Sequence, residues 1–337
     1  MDKAHIQQLL QPYSLHIIEI TQITESNTAL TIKLTAKVSD GSTKKLFVKT
    51  MKPNKAENVY HSKNMRESEF YRLVKENNIN SAPLPTCHVA SSCQEKGEFL
   101  IILDDVSGEY TAPGNAALQS NNTWLRCAES LAKLHAAFWE HSIIAAMQEE
   151  YLDETATQTY INKLKERLGL FISHFSDNFD TQTKETLTKA AEINILQVKE
   201  TASRIIANRN VTICNGDSHI HNFMLPVTEG GLPLVVDFQF WGEGIGTGDL
   251  AHLTRVKFAK PGLQLAMAEH YYETLLASGV VGYSWEACWH DYRISAASMV
   301  LIPMWQYSGF KMPYSEWKDA LQDLTRNFHY LECEDIL

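Results

Sequence analysis

Two short apolar runs, each ending abruptly in carboxylate and amide side chains, constrain this chain more than any other feature. Val211-Thr-Ile-Cys runs straight into Asn215-Gly-Asp-Ser-His-Ile-His-Asn222, and Pro233-Leu-Val-Val runs into Asp237-Phe-Gln239. A β-branched run this short reads as a buried strand, and the residues just after it sit at the strand's mouth. Asp217 and Asn222 share one loop, while Asp237 leaves the end of the next strand. Two carboxylates and an amide at neighbouring strand ends suit magnesium and phosphate. Mg2+ takes a few hard oxygen ligands from protein and the remainder from water and substrate phosphates.

The rest of the composition narrows the setting. A chain of 337 residues is long enough for two lobes with their own cores. Its formal net charge of −10 argues against nucleic acid as a partner, because neutralising phosphates needs a basic face. The six cysteines (Cys87, Cys93, Cys127, Cys214, Cys288, Cys333) are scattered with no CxxC pair, as expected of reduced thiols in a cytoplasm. The N-terminal residues lack the basic flank and apolar core of a secretion signal. No apolar run approaches the ~18–20 residues that span a bilayer. A cytoplasmic protein without a membrane partner is expected, and its oligomeric state is left open.

Along the chain, Leu15 to Thr24, Ala29 to Val38 and Lys45 to Thr50 read as strands. Asp40-Gly41 joins the last two as a hairpin, since glycine accepts the positive φ of a tight turn. Pro53 closes the third strand. A helix is expected from about Glu57 to Asn77, with Met65, Phe70, Leu73 and Val74 on one side. Short strands come next, near Thr86–Ala90 and Glu98–Leu103, and this N-terminal lobe is expected to span residues 1–106. Ser107 to Asn122 is a polar connection. Residues 107–337 form the second expected lobe, mainly helical and interrupted by the strand-loop-strand segment 211–240. Helices are expected there at Asp249–Phe258, Leu263–Ala277, Trp285–Trp305 and Tyr314–Phe328.

Taken together and in order, these motifs resemble the aminoglycoside phosphotransferase / choline kinase-like superfamily. The ecdysteroid-kinase-like (CHK) group is the nearest in pattern, with its Asp-Phe-Gln (Asp237 to Gln239) followed by Asp-Leu-Ala (Asp249 to Ala251). The resemblance extends over most of the chain, through Phe47-Val-Lys49, Arg66-Glu67 before Phe70-Tyr71, Leu100 to Asp105, and Leu131 to His135. It implies an α+β, two-lobe protein-kinase-like fold, with an N-terminal antiparallel sheet carrying one helix and a larger, mostly helical C-terminal lobe. It implies an ATP- and Mg2+-dependent kinase moving the γ-phosphate to a hydroxyl of a small molecule, the acceptor being aminoglycoside-, choline- or steroid-like. Catalysis of this kind is mostly positioning and charge neutralisation. By the same resemblance Asp217 accepts or orients the acceptor proton, and Asn222 and Asp237 hold Mg2+. Lys49 binds the α/β-phosphates with Glu67 aiming it, and Asp104, Asp105 and Val106 offer backbone groups to adenine. Glu69 rivals Glu67, and the spacing to Phe70-Tyr71 favours Glu67. Asp249 is expected to brace the catalytic loop.

Other readings compete. Asn215 stands where the superfamily usually has histidine, and the loop Thr24 to Thr28 has no glycine to cover phosphates, leaving backbone amides or the Ser26 hydroxyl for that purpose. Both departures point to the alternative of a catalytically weak, nucleotide-binding pseudokinase or scaffold. His219 and His221 with the nearby acids suggest a zinc or iron site, against which the second motif brings oxygen ligands only. Trp285, Trp289, Tyr292, Trp305 and Tyr307 line either an acceptor pocket or the helix core.

Overall fold

The computed structural model describes residues 3–25, 29–52, 61–93, 95, 97–116, 119–147, 154–255 and 262–337. Ser26 of the first loop, Pro53, the expected helix start at Glu57 and the expected helix end at Phe258 lie outside them. The chain forms two compact units, one of Met1–Pro113 with Asn222–Trp241 and one of Gly114–His221 with Gly242–Leu337.

The first unit is built on a five-stranded antiparallel sheet. Its strands are β1 (His16–Glu25), β2 (Leu30–Lys37), β3 (Thr43–Thr50), β4 (Cys87–Cys93) and β5 (Glu98–Asp104), in the order β1-β2-β3-β5-β4. The β2–β3 hairpin turns where the sequence puts it. Gly41 has φ of 84°, its N–H donates to Val38 O at 2.9 Å, and the Asp40 carboxylate accepts the Ser42 N–H at 2.8 Å. Along β2, Leu30, Ile32, Leu34 and Ala36 alternate inward. They pack with Leu46, Val48, Leu100 and Ile102, and with Ile6 and Leu10 of α1 (Lys3–Leu10). β5 is buried at Phe99 through Leu103 on both faces, because α2 (His61–Glu76) also packs against it.

Asn222–Trp241, expected from the sequence in the second lobe, folds with this first unit. There β6 (Tyr110–Thr111) pairs with β8 (Phe223–Pro226), which pairs with β9 (Leu234–Val235). Phe238 stacks on Phe70 of α2, centroids 3.7 Å apart and planes within 5°. Arg66 Nη2 donates to Trp241 O at 2.7 Å, and Trp241 Nε1 donates to Arg66 O at 2.6 Å.

The second unit is mainly helical. It contains α3 (Asn121–Ala137), α4 (Ser142–Ala145), α5 (Glu154–His174), α6 (Thr181–Ala207), α7 (Thr247–Thr254), α8 (Leu263–Ala277), α9 (Trp285–Met299), α10 (Ile302–Phe310) and α11 (Tyr314–Tyr330). Strands β7 (Thr212–Cys214) and β10 (Gly242–Gly244) pair antiparallel within it. The single helix expected over Trp285–Trp305 is two. A break falls at Val300–Leu301, and Pro303 lies in the first turn of α10, where its missing N–H costs no hydrogen bond. This mixed architecture is the α+β kinase-like class expected of the sequence, with an antiparallel N-terminal sheet and a larger helical remainder.

Phe238 is fully buried, so Phe238→Ala is expected to destabilise the protein by about 3–5 kcal/mol through lost burial and a residual cavity. Phe238→Leu should lose distinctly less. Urea denaturation followed by tryptophan fluorescence checks both.

Candidate functional site

In the first unit, Lys49 lies on β3 between Thr31 of β2 and Ile101 of β5, interior to the sheet. An edge lysine would be solvated, but this side chain is only 11% exposed. Lys49 Nζ donates to Glu67 Oε2 at 2.5 Å and lies 3.6 Å from Asp237 Oδ1. Burial pulls the ammonium toward its neutral form, and the two carboxylates outweigh that, raising the Lys49 pKa above its ordinary value. The helix thus presents Glu67, not Glu69, to the lysine. The Phe238 N–H supports the same Glu67 carboxylate, coupling α2 directly to the Asp-Phe-Gln motif.

Asp237 has φ of 62°, a left-handed conformation that aspartate tolerates better than most residues. It lies just past β9, where the Val236 N–H donates to Asn222 O at 2.9 Å. That bond ties the two motifs together at the backbone. Asn222 closes a one-turn 3-10 helix and is buried, whereas the Asp237 side chain is 42% exposed. Their side-chain oxygens are hard donors of the kind Mg2+ takes, so the residues present fit that ion.

The segment Asp104 to Val106 ends β5. Its groups are partly committed: His88 Nε2 lies 2.6 Å from Asp104 Oδ1, and the Asp104 and Asp105 N–H groups donate to Thr86 O and Lys45 O. Asp105 Oδ1 caps the Ser107 N–H at 3.1 Å. The Val106 carbonyl accepts from Glu109 and Tyr110.

In the second unit, Asp217 comes after β7 on the loop that Asp249 organises. Asp249, 2% exposed, accepts the Asn215 N–H at 2.6 Å and the Gly216 N–H at 2.9 Å, and lies 3.1 Å from His135 Nε2. Burial alone would raise its pKa; His135 and the two backbone donors bring it below the ordinary value. His135 Nδ1 meets Tyr271 Oη at 2.8 Å. A Cβ on Gly246 would fall 2.4 Å from that oxygen and 2.7 Å from that nitrogen, so only glycine fits there. Asn215, fully buried, accepts the Asp217 N–H on Oδ1 at 3.1 Å, an Asx-type turn that shapes the loop locally.

Around Asp217 stand His219, weighed above as a metal ligand, and two residues that motif reading did not single out, His252 and Arg255. His252 Nε2 lies 3.5 Å from Asp217 Oδ1 and His219 Nε2 3.6 Å from Oδ2, while Arg255 Nη1 donates to His252 Nε2 at 2.6 Å. The available signal was helical spacing: His252 is three residues beyond Asp249 on α7 and so shares its face. His219 and His221 rings sit 5.9 Å apart. The tightest potential metal trio among the described residues is instead His135, Cys214 and Asp249. Both His135 nitrogens already have protein partners, and burial holds the Cys214 thiol well above its ordinary pKa, so His135 and Asp249 serve as a hydrogen-bonded brace with a protonated thiol packed beside them.

The model of the ecdysteroid kinase-like family matches residues 16–277, more than three quarters of the chain. The chain belongs to the ecdysteroid kinase-like family. Its class is accordingly that of small-molecule kinases. No curated protein matches it by sequence. Among solved structures it is similar to the Plasmodium vivax ethanolamine kinase, at 15% identity and TM-score 0.54, covering 97% of this chain and 84% of that one. It is also similar to aminoglycoside 2'-phosphotransferase-IIIa in its GDP complex, at 13% identity and TM-score 0.57, covering 97% and 99%. A third is amicoumacin kinase hAmiN with AMP-PNP, Ca2+ and Ami, at 11% identity and TM-score 0.52, covering 97% and 93%. At these identities the likeness establishes the fold. In this ecdysteroid kinase-like chain, the motif residues therefore sit on a kinase-like framework whose two units each brace their own part.

Two outcomes are expected of the second unit. Asp249→Asn leaves a buried histidine and two backbone donors poorly matched, and should cost about 3–5 kcal/mol in urea denaturation. Burial and then Arg255 depress the His252 pKa to about 3, so the folded protein favours its neutral form. That stability is present above the ordinary value of 6.5 and is lost as pH falls toward 3, because the unfolded chain binds the extra proton. Between about pH 6 and pH 4 the wild type should lose about 1.4 kcal/mol per pH unit more than His252→Gln. Parallel slopes for the two proteins would remove His252 from the acid response.

Proposed function

We propose that this chain transfers the γ-phosphate of ATP, with Mg2+, to a hydroxyl of a small molecule. The observation that carries the reading is the buried Lys49–Glu67 pair with Asp237 beside it, in a member of a kinase-like family. A lysine held cationic at 2.5 Å from a buried glutamate is restricted in direction, which suits it to α- and β-phosphate oxygens. Asn222 and Asp237 would hold Mg2+. That ion would supply charge neutralisation at the phosphates. Asp217 takes or orients the acceptor proton, with Asp249 and Asn215 fixing the backbone from which it projects. Asp104 to Val106 is the proposed adenine contact. The Val106 N–H donates to no protein acceptor among the described residues.

The solved relatives support the nucleotide and divalent-cation parts by class: one was determined with GDP, another with AMP-PNP and Ca2+. The names of the relatives span ethanolamine, aminoglycoside and amicoumacin kinases, so a small hydroxylated acceptor is the consistent expectation. All six cysteines are free, and among the described residues no helix is long and apolar enough to cross a membrane; both fit the cytoplasmic setting we propose. The scaffold alternative drew on Asn215 and on the glycine-poor loop Thr24 to Thr28, of which residues 26–28 lie outside the described residues. Here Asn215 holds the Asp217 backbone, which favours a working catalytic loop.

Calorimetry of ATP binding with and without Mg2+ tests the reading. The wild type should bind in a magnesium-dependent way, and Asp237→Ala should lose that dependence. Asp217→Asn should keep binding and lose about 100- to 10,000-fold in phosphate transfer. A wild type that ignores millimolar ATP would hand the protein to the scaffold reading, and full turnover in Asp217→Asn would remove that residue from the mechanism.

A further inference from the structure

The second unit carries a cavity of about 730 Å3 between α5 and α10, and none of the residues given a role in the proposed phosphate transfer lines it. That volume falls in the range of small-molecule sites, roughly 300–1,000 Å3. Its lining is unusual for a chain with a net charge of −10. Lys163, Arg167 and Lys311 face it with His174, and Glu166 is the sole carboxylate among the lining residues. Among the described residues, none of the three cations has an ion-pair partner.

Two of those cations are held in place by rings. The Arg167 guanidinium lies 5.0 Å from the Trp305 centroid, and Lys311 Nζ lies 5.2 Å from the Tyr307 centroid. Tyr307 is itself stacked on His174 at 5.3 Å and packed against Phe171 at 5.9 Å. The cavity therefore combines an aromatic wall with cations already oriented, at an uncompensated local charge. Crowded like charges destabilise one another until a counter-charge arrives. Ser173 and Ser308 also line it, the Ser308 hydroxyl already donating to Met304 O at 2.7 Å.

We propose that this cavity binds a small amphipathic anion, an aromatic body bearing a sulfonate, sulfate, carboxylate or phosphate group. The ring system packs against Phe171 and Tyr307, and the anionic group lies among Arg167, Lys163 and Lys311. The concave shape and limited size select a small molecule over nucleic acid, which needs an extended basic stripe. This site goes beyond the kinase reading and stands without it, since binding there involves neither nucleotide nor acceptor.

Anilinonaphthalene sulfonate is a suitable probe, with uncharged phenylnaphthylamine as its neutral counterpart. Fluorescence titrations of both into the full-length protein, without nucleotide, form the test. The sulfonate should bind more tightly than the neutral ring, and its affinity should fall as salt rises. Arg167→Glu combined with Lys311→Glu should weaken the sulfonate about tenfold or more and leave the neutral ring little changed. Equal affinity for the two probes, salt-independent binding, or an unaffected double variant would each overturn the proposal. Should the double variant not fold, Arg167→Gln and Lys311→Gln, made singly, take its place, and sulfonate affinity unchanged in both would overturn the proposal. Nucleotide calorimetry on the same protein separates failure here from failure of the kinase reading.

Discussion

The buried ion pair between Lys49 and Glu67 sets the terms for the first unit. Taking an ammonium and a carboxylate out of water is costly, and their attraction offsets the cost only when the geometry is tight and the remaining valences are met. Here the contact is 2.5 Å, Asp237 stands 3.6 Å from the ammonium, and the Phe238 N–H supports the glutamate. Such an arrangement needs three pieces of chain far apart in sequence to be held rigidly. β3 is held by strands on both sides, and α2 is packed on β5. The Asp237–Trp241 segment is fastened to α2 by the Phe70–Phe238 stack and the reciprocal Arg66–Trp241 bonds. The apolar packing exists at the site of the charges because without it the charges would separate and hydrate.

The second unit solves a similar problem with a carboxylate that holds backbone. Asp249 takes two consecutive N–H groups of the Asn215–Gly216 turn and meets His135, which is fixed in turn by Tyr271. Gly246 is the steric condition for that network, because any side chain would drive into the His135–Tyr271 contact. Asp249 is thus a positioning residue; the chemistry proposed for the loop belongs to Asp217, whose own carboxylate stands beside the His252 and His219 rings, with the charge of Arg255 acting on it.

Much of this was legible in the sequence because it rests on local physics. The Asp40-Gly41 turn, the alternation along β2 and the motif order each come from turn chemistry or from period. The choice of Glu67 over Glu69 came from its spacing to Phe70-Tyr71. Less local features were hidden. β6, β8 and β9 run two to four residues, too short for any periodicity, and their pairing is what draws Asn222–Trp241 into the first unit. The helix break before α10 was masked by an apolar pattern that continues across Pro303. The late aromatics, which in sequence form one stripe, divide: Trp285, Trp289 and Tyr292 stack along α9, whereas Trp305 and Tyr307 of α10 serve the basic cavity.

Asn215 shows why a departure from a family pattern is a physical question before it is a functional one. A histidine at that position would brace the loop through a ring nitrogen. The shorter asparagine does so from its side-chain oxygen, which accepts the Asp217 N–H two residues on and the Ser218 hydroxyl. Its backbone N–H meanwhile goes to Asp249, so the same residue is anchored from both ends. What the loop requires is a buried acceptor at the right distance, and either side chain can provide one. Loss of the usual residue therefore carries little information by itself; loss of the acceptor, or of the Asp249 carboxylate that fixes its position, would carry a great deal.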